Sequence, residues 1–327
     1  MSRKMAIIRK AMVLSKKSES NAIESSKKKK QKPIKDIVAK NDYFRGVNQL
    51  LEKLIVKNTY HNIVEIAGRK CHKLGINRNK KYFSTTEYDK NKIIIYIHGG
   101  GFCRGFPLHG VFYVKAMMKR LGCDALAPDY SLSPEVKYPT ALEELVCFYK
   151  EVLKEYKPEN IILTGESAGA NLALALTMRL RDEKVPLPRC LALISGFFDL
   201  NNDKPSYEIN KDTDVSLTKE ILDLMAQTYV YGDYGDIPSE LCKDQYISPV
   251  CGNFKDLPPI MFTVCSDELL YDDTAACYAK AKKAGNDCCL YVDKNCFHAY
   301  VVMGDVCTES KKACNEIEKF VKEQFEK

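Results

Sequence analysis

Residues 161–180, IILTGESAGANLALALTMRL, decide the fold class of this 327-residue chain. The first four residues suit a short buried strand, and the residues from Ala168 onward suit a long helix. Between them, Gly165-Glu166-Ser167-Ala168-Gly169 matches the pattern Gly-x-Ser-x-Gly. A turn this tight tolerates no bulky side chain two positions before or after the serine, and it lifts the serine above the sheet at a helix N-terminus. We therefore predict that Ser167 is a nucleophile, although such a turn can also be purely structural.

Short apolar strands alternate with helices on both sides of this stretch, which predicts an α/β fold with a mostly parallel central sheet and helices on both faces. The predicted strands are 93–97, 125–128, 161–164, 191–195, 260–264 and 289–292. The predicted helices are 140–156, 168–181, 218–231, 274–284 and one from about residue 309 to the end. No stretch approaches ~20 uninterrupted apolar residues, so no membrane-spanning helix is predicted.

The positive charge is concentrated at the N-terminus. Residues 1–40 hold 13 Lys and Arg and three acidic residues out of 50 and 43, so the remainder has a net charge of 37 − 40 = −3. A body of this charge does not predict nucleic acid as a substrate. We predict a basic, flexible tail over residues 1–33, although its start also suits a targeting or membrane-surface helix or a first cap helix. The run Lys27–Lys30 suits a solvated linker better than a nuclear signal.

The rest, residues 34–327, is predicted to be one catalytic domain with a helical cap. One cap element is expected near 34–60, with a helix at about 34–56. The other is expected at 201–246, because this polar interruption is too long for a simple connection.

The 14 cysteines show no Cys-x-x-Cys spacing. We interpret them as reduced thiols in a cytoplasmic protein, and we predict neither a metal site nor a cofactor.

A glycine-rich loop, His98-Gly99-Gly100-Gly101-Phe102, follows the strand at 93–97. Successive glycines let backbone N–H groups approach a ligand closely, as an oxyanion hole requires. The predicted donors are Gly100, Gly101 and Ala168. A flexible glycine loop and a phosphate-binding loop are the alternatives, and the second lacks the expected Gly-x-x-x-x-Gly-Lys-Ser/Thr pattern.

The general base follows from chain order. In folds with this serine turn the triad occurs in the order serine, acid, histidine. Four of the five histidines precede Ser167, so His298 is the predicted base. Asp267, just after the strand at 260–264, is the predicted acid; its neighbour Glu268 and the more distant Asp199 are the alternatives.

Taken together, these motifs resemble the hormone-sensitive-lipase-like esterases of the α/β-hydrolase fold, over most of residues 93–310. Further matching segments are Asp129-Tyr130-Ser131-Leu132-Ser133-Pro134-Glu135, Tyr138-Pro139, Ser248-Pro249 and residues 267–273.

The resemblance implies hydrolysis of short- to medium-chain acyl esters without a cofactor, under a cap built partly from N-terminal helices, by a monomer or homodimer. It implies a loop-anchoring role for His98. Phe102, Phe106 and Phe197 are candidates for the substrate pocket, although core packing explains them equally well. The expected partner is a small-molecule acyl ester, with weak contact between the basic tail and an acidic surface as a further expectation. The alternatives are an amidase or deacetylase of small acylated amines, and a receptor on this fold that has lost catalysis.

Overall fold

A computed structural model of the chain describes residues 1–28, 59–76, 87–106, 108–232 and 243–327. The helix predicted at 34–56 lies outside these ranges.

An eight-stranded sheet forms the centre of the molecule, in the order β1-β2-β4-β3-β5-β6-β7-β8. The strands are β1 Thr59–Ile66, β2 Arg69–Ile76, β3 Ile93–Ile97, β4 Asp124–Pro128, β5 Ile161–Glu166, β6 Cys190–Ile194, β7 Ile260–Cys265 and β8 Cys288–Asp293. Strands β3 to β8 run parallel, and the β1–β2 hairpin joins antiparallel to β4. The predicted α/β-hydrolase fold, with its mostly parallel sheet, is confirmed.

Helices flank the sheet and connect its strands. They are α1 Arg3–Lys28, α2 Leu108–Leu121, α3 Thr140–Val152, α4 Ala168–Asp182, α5 Ser206–Ile209, α6 Lys219–Tyr231, α7 Tyr271–Lys283 and α8 Thr308–Glu326. Helices α5 and α6 lie in the predicted cap region at 201–246. Within the described ranges, no helix combines the length and the apolar character needed to cross a bilayer.

Strands β3 to β7 are buried on both faces, which explains their continuous apolar runs. In β3, Ile93, Ile95 and Ile97 belong to the core on one face, while Ile94 and Tyr96 belong to the core on the other. The β1–β2 hairpin was not predicted, because basic and polar residues interrupt its strands and leave no apolar run.

The N-terminus differs from its prediction. Residues 3–28 form α1, a helix of 26 residues, where a flexible tail was expected. Met5 is fully buried in the core that lies against α2 and α8. The Ser2 hydroxyl also donates to Glu309 in the first turn of α8. Charge composition alone does not reveal these contacts, because they involve residues some 300 positions away in the chain.

Candidate active site

The Ser167 turn joins β5 to α4 in a conformation that few side chains adopt. Ser167 has φ 53° and ψ −121°, outside the ordinary regions for a residue with a Cβ. Its N–H donates to the Ile194 carbonyl at the end of β6 at 2.9 Å, and its carbonyl accepts from Phe197 N–H at 3.1 Å. Strand β6 and the segment that follows it therefore hold the turn in place on both sides of the serine.

The two glycines of the serine motif are required by close backbone contacts. A Cβ at Gly165 would lie 2.5 Å from the carbonyl oxygen of Gly169, and a Cβ at Gly169 would lie 2.1 Å from the carbonyl oxygen of Ile97 in β3. Both distances are far below van der Waals contact. The small residues thus allow α4 to start directly against β3, which brings Ser167 next to the glycine-rich loop.

The glycine-rich loop itself bends through left-handed backbone conformations. Gly100 has φ 108°, Gly101 has φ 61° and Phe102 has φ 62°. The loop closes on the Gly100 carbonyl, which accepts from the N–H groups of Cys103 and Arg104. These bonds do not use the N–H of Gly100 or Gly101, and the first N–H groups of α4, including that of Ala168, have no partner within the helix. The three predicted oxyanion donors lie on two neighbouring segments: Gly100 and Gly101 in the glycine-rich loop, and Ala168 at the start of α4.

Glu166, inside the serine motif, ties the two segments together. Its Oε1 accepts from Gly99 N–H at 3.0 Å and from the Tyr96 hydroxyl at 3.0 Å, in a fully protein-enclosed position. Burial and the Glu166 charge hold the pKa of Tyr96 well above its ordinary value, so the phenol stays protonated and donates. This carboxylate was not among the predicted site residues. The sequence feature that could have revealed its role is the position of a charged residue at the end of an otherwise apolar, buried strand.

His98 anchors the loop from the other side. Its Nδ1–H donates to the Gly99 carbonyl at 2.8 Å, and its ring stacks on Tyr130 at 4.3 Å between centroids. The Tyr130 hydroxyl in turn donates to the His98 carbonyl at 2.8 Å. Burial lowers the pKa of His98, which keeps the ring neutral. These contacts agree with the loop-anchoring role that the resemblance implied.

His298 forms a buried pair with Glu268. Its Nδ1–H donates to Glu268 Oε2 at 2.9 Å, and the Glu268 side chain is only 1% exposed. The other carboxylate oxygen accepts from Cys265 N–H at 3.2 Å, at the end of β7. Burial lowers the pKa of His298, but the hydrogen bond and the charge of Glu268 outweigh burial and raise it above its ordinary value. A histidine held in this way presents its Nε2 as a proton acceptor.

The prediction that Asp267 is the partner of His298 is therefore wrong. Asp267 is half-buried and accepts from Asn295 N–H at 2.9 Å and from the Ser266 hydroxyl at 3.0 Å, so it braces the loop that carries the histidine. In the turn after β7, consecutive side chains leave the backbone in different directions, and the one that turns inward is Glu268.

Asp199, the other alternative for the acid, has a different partner: its carboxylate forms an ion pair with Lys204 Nζ at 2.6 Å. The adjacent Asp273 carboxylate accepts from the N–H groups of Phe198 and Asp199, and burial followed by the charge of Asp199 raises the pKa of Asp273 well above its ordinary value.

Helix α6 covers the glycine-rich loop. A Cβ at Gly101 would lie 2.0 Å from Met225 Sδ, and the ring of Phe102 stacks on Tyr229 at 3.8 Å between centroids. Thr218 caps the start of the helix, because its hydroxyl accepts from Ile221 N–H, and Gly232, which has φ 73°, caps its end. The helix was predicted at 218–231, but its contact with the loop was not.

The three predicted pocket phenylalanines occupy two places. Phe102, 1% exposed, lies 6.1 Å from Phe197 between ring centroids. Phe106 instead stacks on His72 at 4.6 Å and meets His98 edge-on at 5.9 Å. All three are packed against protein, and a role in binding substrate stays a prediction.

Within the described ranges, no group of three or more His, Cys, Asp and Glu side chains is arranged to hold a metal ion. The cysteines of the same ranges form no disulfide with one another.

A strained serine between a parallel strand and a helix, a glycine-rich loop beside it and a buried histidine–carboxylate pair define an α/β-hydrolase-fold enzyme of the serine hydrolase class. The comparison with known families agrees: residues 94–302 match the α/β-hydrolase fold family, and the chain belongs to that family.

Its relatives include esterases and acetyl-hydrolases. An acetyl-hydrolase of Streptomyces hygroscopicus is 31% identical over 68% of this chain and 72% of its own length. An esterase of Acinetobacter venetianus is 32% identical over 59% of this chain and 62% of its own length.

Solved structures place the chain beside hormone-sensitive-lipase family esterases, as the sequence resemblance indicated. A bacterial esterase of that family superimposes with a TM-score of 0.74 at 26% identity, over 85% of this chain and 90% of that one. EstE5, from a crystal soaked with p-nitrophenyl butyrate, gives a TM-score of 0.74 at 27% identity, over 86% of this chain and 92% of that one.

Proposed function

We propose that this enzyme hydrolyses carboxylic esters with short- to medium-chain acyl groups through an acyl-enzyme. Ser167 is the nucleophile, His298 the general base and Glu268 the acid that orients it. The oxyanion donors are the N–H groups of Gly100, Gly101 and Ala168.

One observation carries the proposal: two consecutive residues, the last of β6 and the first after it, hold both the nucleophile and the base. The Ile194 carbonyl accepts from Ser167 N–H, and the Ser195 hydroxyl accepts from the N–H of Ala299, which directly follows His298. The turn after β5 and the loop after β8 are thereby drawn to the same carboxyl edge of the sheet. That arrangement supports proton transfer between the two side chains.

The chemistry follows from this arrangement. His298 Nε2 takes the Ser167 proton as the hydroxyl oxygen attacks the ester carbonyl, and the oxyanion is stabilised by the three N–H groups. The tetrahedral intermediate then collapses, the C–O bond to the alcohol breaks, and the alcohol leaves with the proton from His298. Water repeats the sequence on the acyl-enzyme and releases the carboxylic acid. Glu268 stabilises the imidazolium through its hydrogen bond with His298 Nδ1–H.

The packing of α6 supports the limit on acyl length. Met225 and Tyr229 press against Gly101 and Phe102, and both are buried. Little room remains between the cap helix and the oxyanion loop, so short acyl groups are expected to fit best. The names of two solved relatives fit this preference. One is called an esterase, and the crystal of the other was soaked with a butyrate ester.

The test is turnover of a p-nitrophenyl ester series, from acetyl to dodecanoyl, by the wild-type chain and by Ser167→Ala. Removal of the nucleophile should lower kcat by roughly 10⁶-fold for the short esters. Activity that survives in Ser167→Ala would contradict the mechanism. An optimum at dodecanoyl would contradict the acyl-length proposal but not the mechanism.

Hydrolysis of small acetylated amines is a second candidate, because the name of the Streptomyces relative, acetyl-hydrolase, specifies the acyl group and not the bond. Comparing p-nitrophenyl acetate with p-nitroacetanilide separates the two. The ester should be the better substrate, and a higher kcat/KM for the anilide would favour the amidase.

A further inference from the structure

One face of α1 is exposed and combines apolar and basic side chains. We name it the outward stripe: Arg3, Ile7, Lys10, Leu14 and Lys17. The spacing of four, three, four and three residues places all five on one side of a helix. Ile7 is 61% exposed and Leu14 is 70% exposed. Cations and apolar residues alternate along the stripe.

The opposite face of α1 is fixed to the body of the protein. Met5 is fully buried, and Ile8 and Met12 pack against the same core. The guanidinium of Arg9 donates to the carbonyl of Cys296, and Lys16 Nζ donates to the carbonyl of Asp214 at 2.5 Å. The stripe therefore points away from the protein in a fixed direction.

These anchor points lie close to the catalytic residues. Cys296 is two residues before His298 in the chain. Asp214 accepts, through its carboxylate, from the N–H of Leu269, the residue after Glu268. Near the other end of the helix, Glu19 pairs with Arg104, which follows the glycine-rich loop. A surface bound by the stripe would therefore lie on the side of the molecule where the active-site loops meet α1.

The chemistry of the stripe identifies the class of partner. Residues 1–18 contain six Lys and Arg and no carboxylate, whereas the chain beyond residue 40 has a net charge of −3. Apolar side chains between cations suit a bilayer surface, because the apolar groups enter the acyl boundary while the cations meet anionic headgroups. A protein partner would instead favour an uninterrupted apolar seam.

We propose that the outward stripe docks the enzyme on an anionic lipid bilayer surface, with α1 lying in the plane of the headgroups. The docking does not depend on the proposed ester hydrolysis. It gives the N-terminal helix a role beyond covering the fold, and it restricts one side of the molecule to the membrane.

The test is co-sedimentation of the full-length chain with vesicles of phosphatidylcholine alone and of phosphatidylcholine with 30% phosphatidylserine. Wild-type protein should bind the anionic vesicles, and 0.5 M NaCl should weaken the binding. Each cation near the surface contributes about fivefold, so Arg3→Gln/Lys10→Gln/Lys17→Gln should lower the partition coefficient by about 100-fold. Ile7→Ser/Leu14→Ser should lower it by at least about tenfold.

Matched controls are exposed residues on other elements. Ile63→Ser removes an isoleucine of the same exposure from β1, and Lys184→Gln/Lys255→Gln/Lys283→Gln removes three exposed cations. Both should bind like the wild type, and an unchanged Tm in every variant shows that folding is intact.

Three results would overturn the proposal. The first is no binding of the wild type to anionic vesicles. The second is loss of binding when the run Lys27–Lys30 is changed to glutamine while the stripe variants bind normally. The third is a dimer in lipid-free solution, measured by light scattering, that Ile7→Ser/Leu14→Ser converts to a monomer; the stripe would then join two copies of the chain.

Discussion

Glu268→Gln tests the proposed catalytic role of the acid that pairs with His298. Glutamine has the shape of glutamate but no charge, so the imidazolium formed in the transition state loses its counter-ion. At the 2.9 Å separation of Nδ1 and Oε2, with an effective dielectric constant of about 20, the Coulomb energy is about 6 kcal/mol. Because the His298 side chain is 11% exposed and glutamine keeps a neutral hydrogen bond, we expect a net loss of about 4 to 5 kcal/mol. That corresponds to roughly 10³- to 10⁴-fold in kcat/KM.

The assay is kcat/KM for p-nitrophenyl acetate, measured beside the matched variant Asp267→Asn. The asparagine oxygen at position 267 can still accept from the N–H of Asn295, so this variant should stay within about threefold of the wild type. Urea unfolding of each variant checks that both are folded. An Asp267→Asn variant as inactive as Glu268→Gln, or a Glu268→Gln variant with more than about a tenth of wild-type activity, would refute the assignment.

Three further perturbations test the site. His298 must be neutral to accept a proton, and its pKa is raised, so kcat/KM should increase with pH through a midpoint above about 6.5. Glu268→Gln should move that midpoint to lower pH. A midpoint that the variant leaves unchanged would contradict the pairing. Gly169→Ala places a Cβ 2.1 Å from a backbone carbonyl oxygen of β3. Thermal unfolding should therefore show a decrease of about 1–3 kcal/mol in the free energy of unfolding, and kcat should fall as well. An unchanged Tm and unchanged activity would show that the turn has room for a side chain. Glu166→Ala removes the acceptor of Gly99 N–H and should lower kcat at least about tenfold, with a smaller change in KM. Glu166→Gln keeps an oxygen acceptor and should recover most of the activity. Equal losses in the two variants would argue against a positioning role for Glu166.

The strand–turn–helix at 161–180 was predictable because its physics is local. A buried strand, a turn that excludes side chains and an apolar helix leave clear patterns in the sequence, and β5, Ser167 and α4 lie where those patterns indicate. His298 followed from chain order alone, since it is the only histidine after the serine.

Tertiary structure decided the rest, because the deciding contacts join residues that are distant in sequence. Asp267 and Glu268 are neighbours with the same chemistry after the same strand, and only the path of the turn after β7 determines which carboxylate reaches a histidine 30 positions later. In the same way, composition indicated a basic tail over residues 1–33. The contacts of Met5 and Arg9 with the body of the protein instead fix residues 3–28 as a helix beside the active-site loops. Local patterns specify which segments form and which serine is strained, while packing between distant segments determines which polar groups meet.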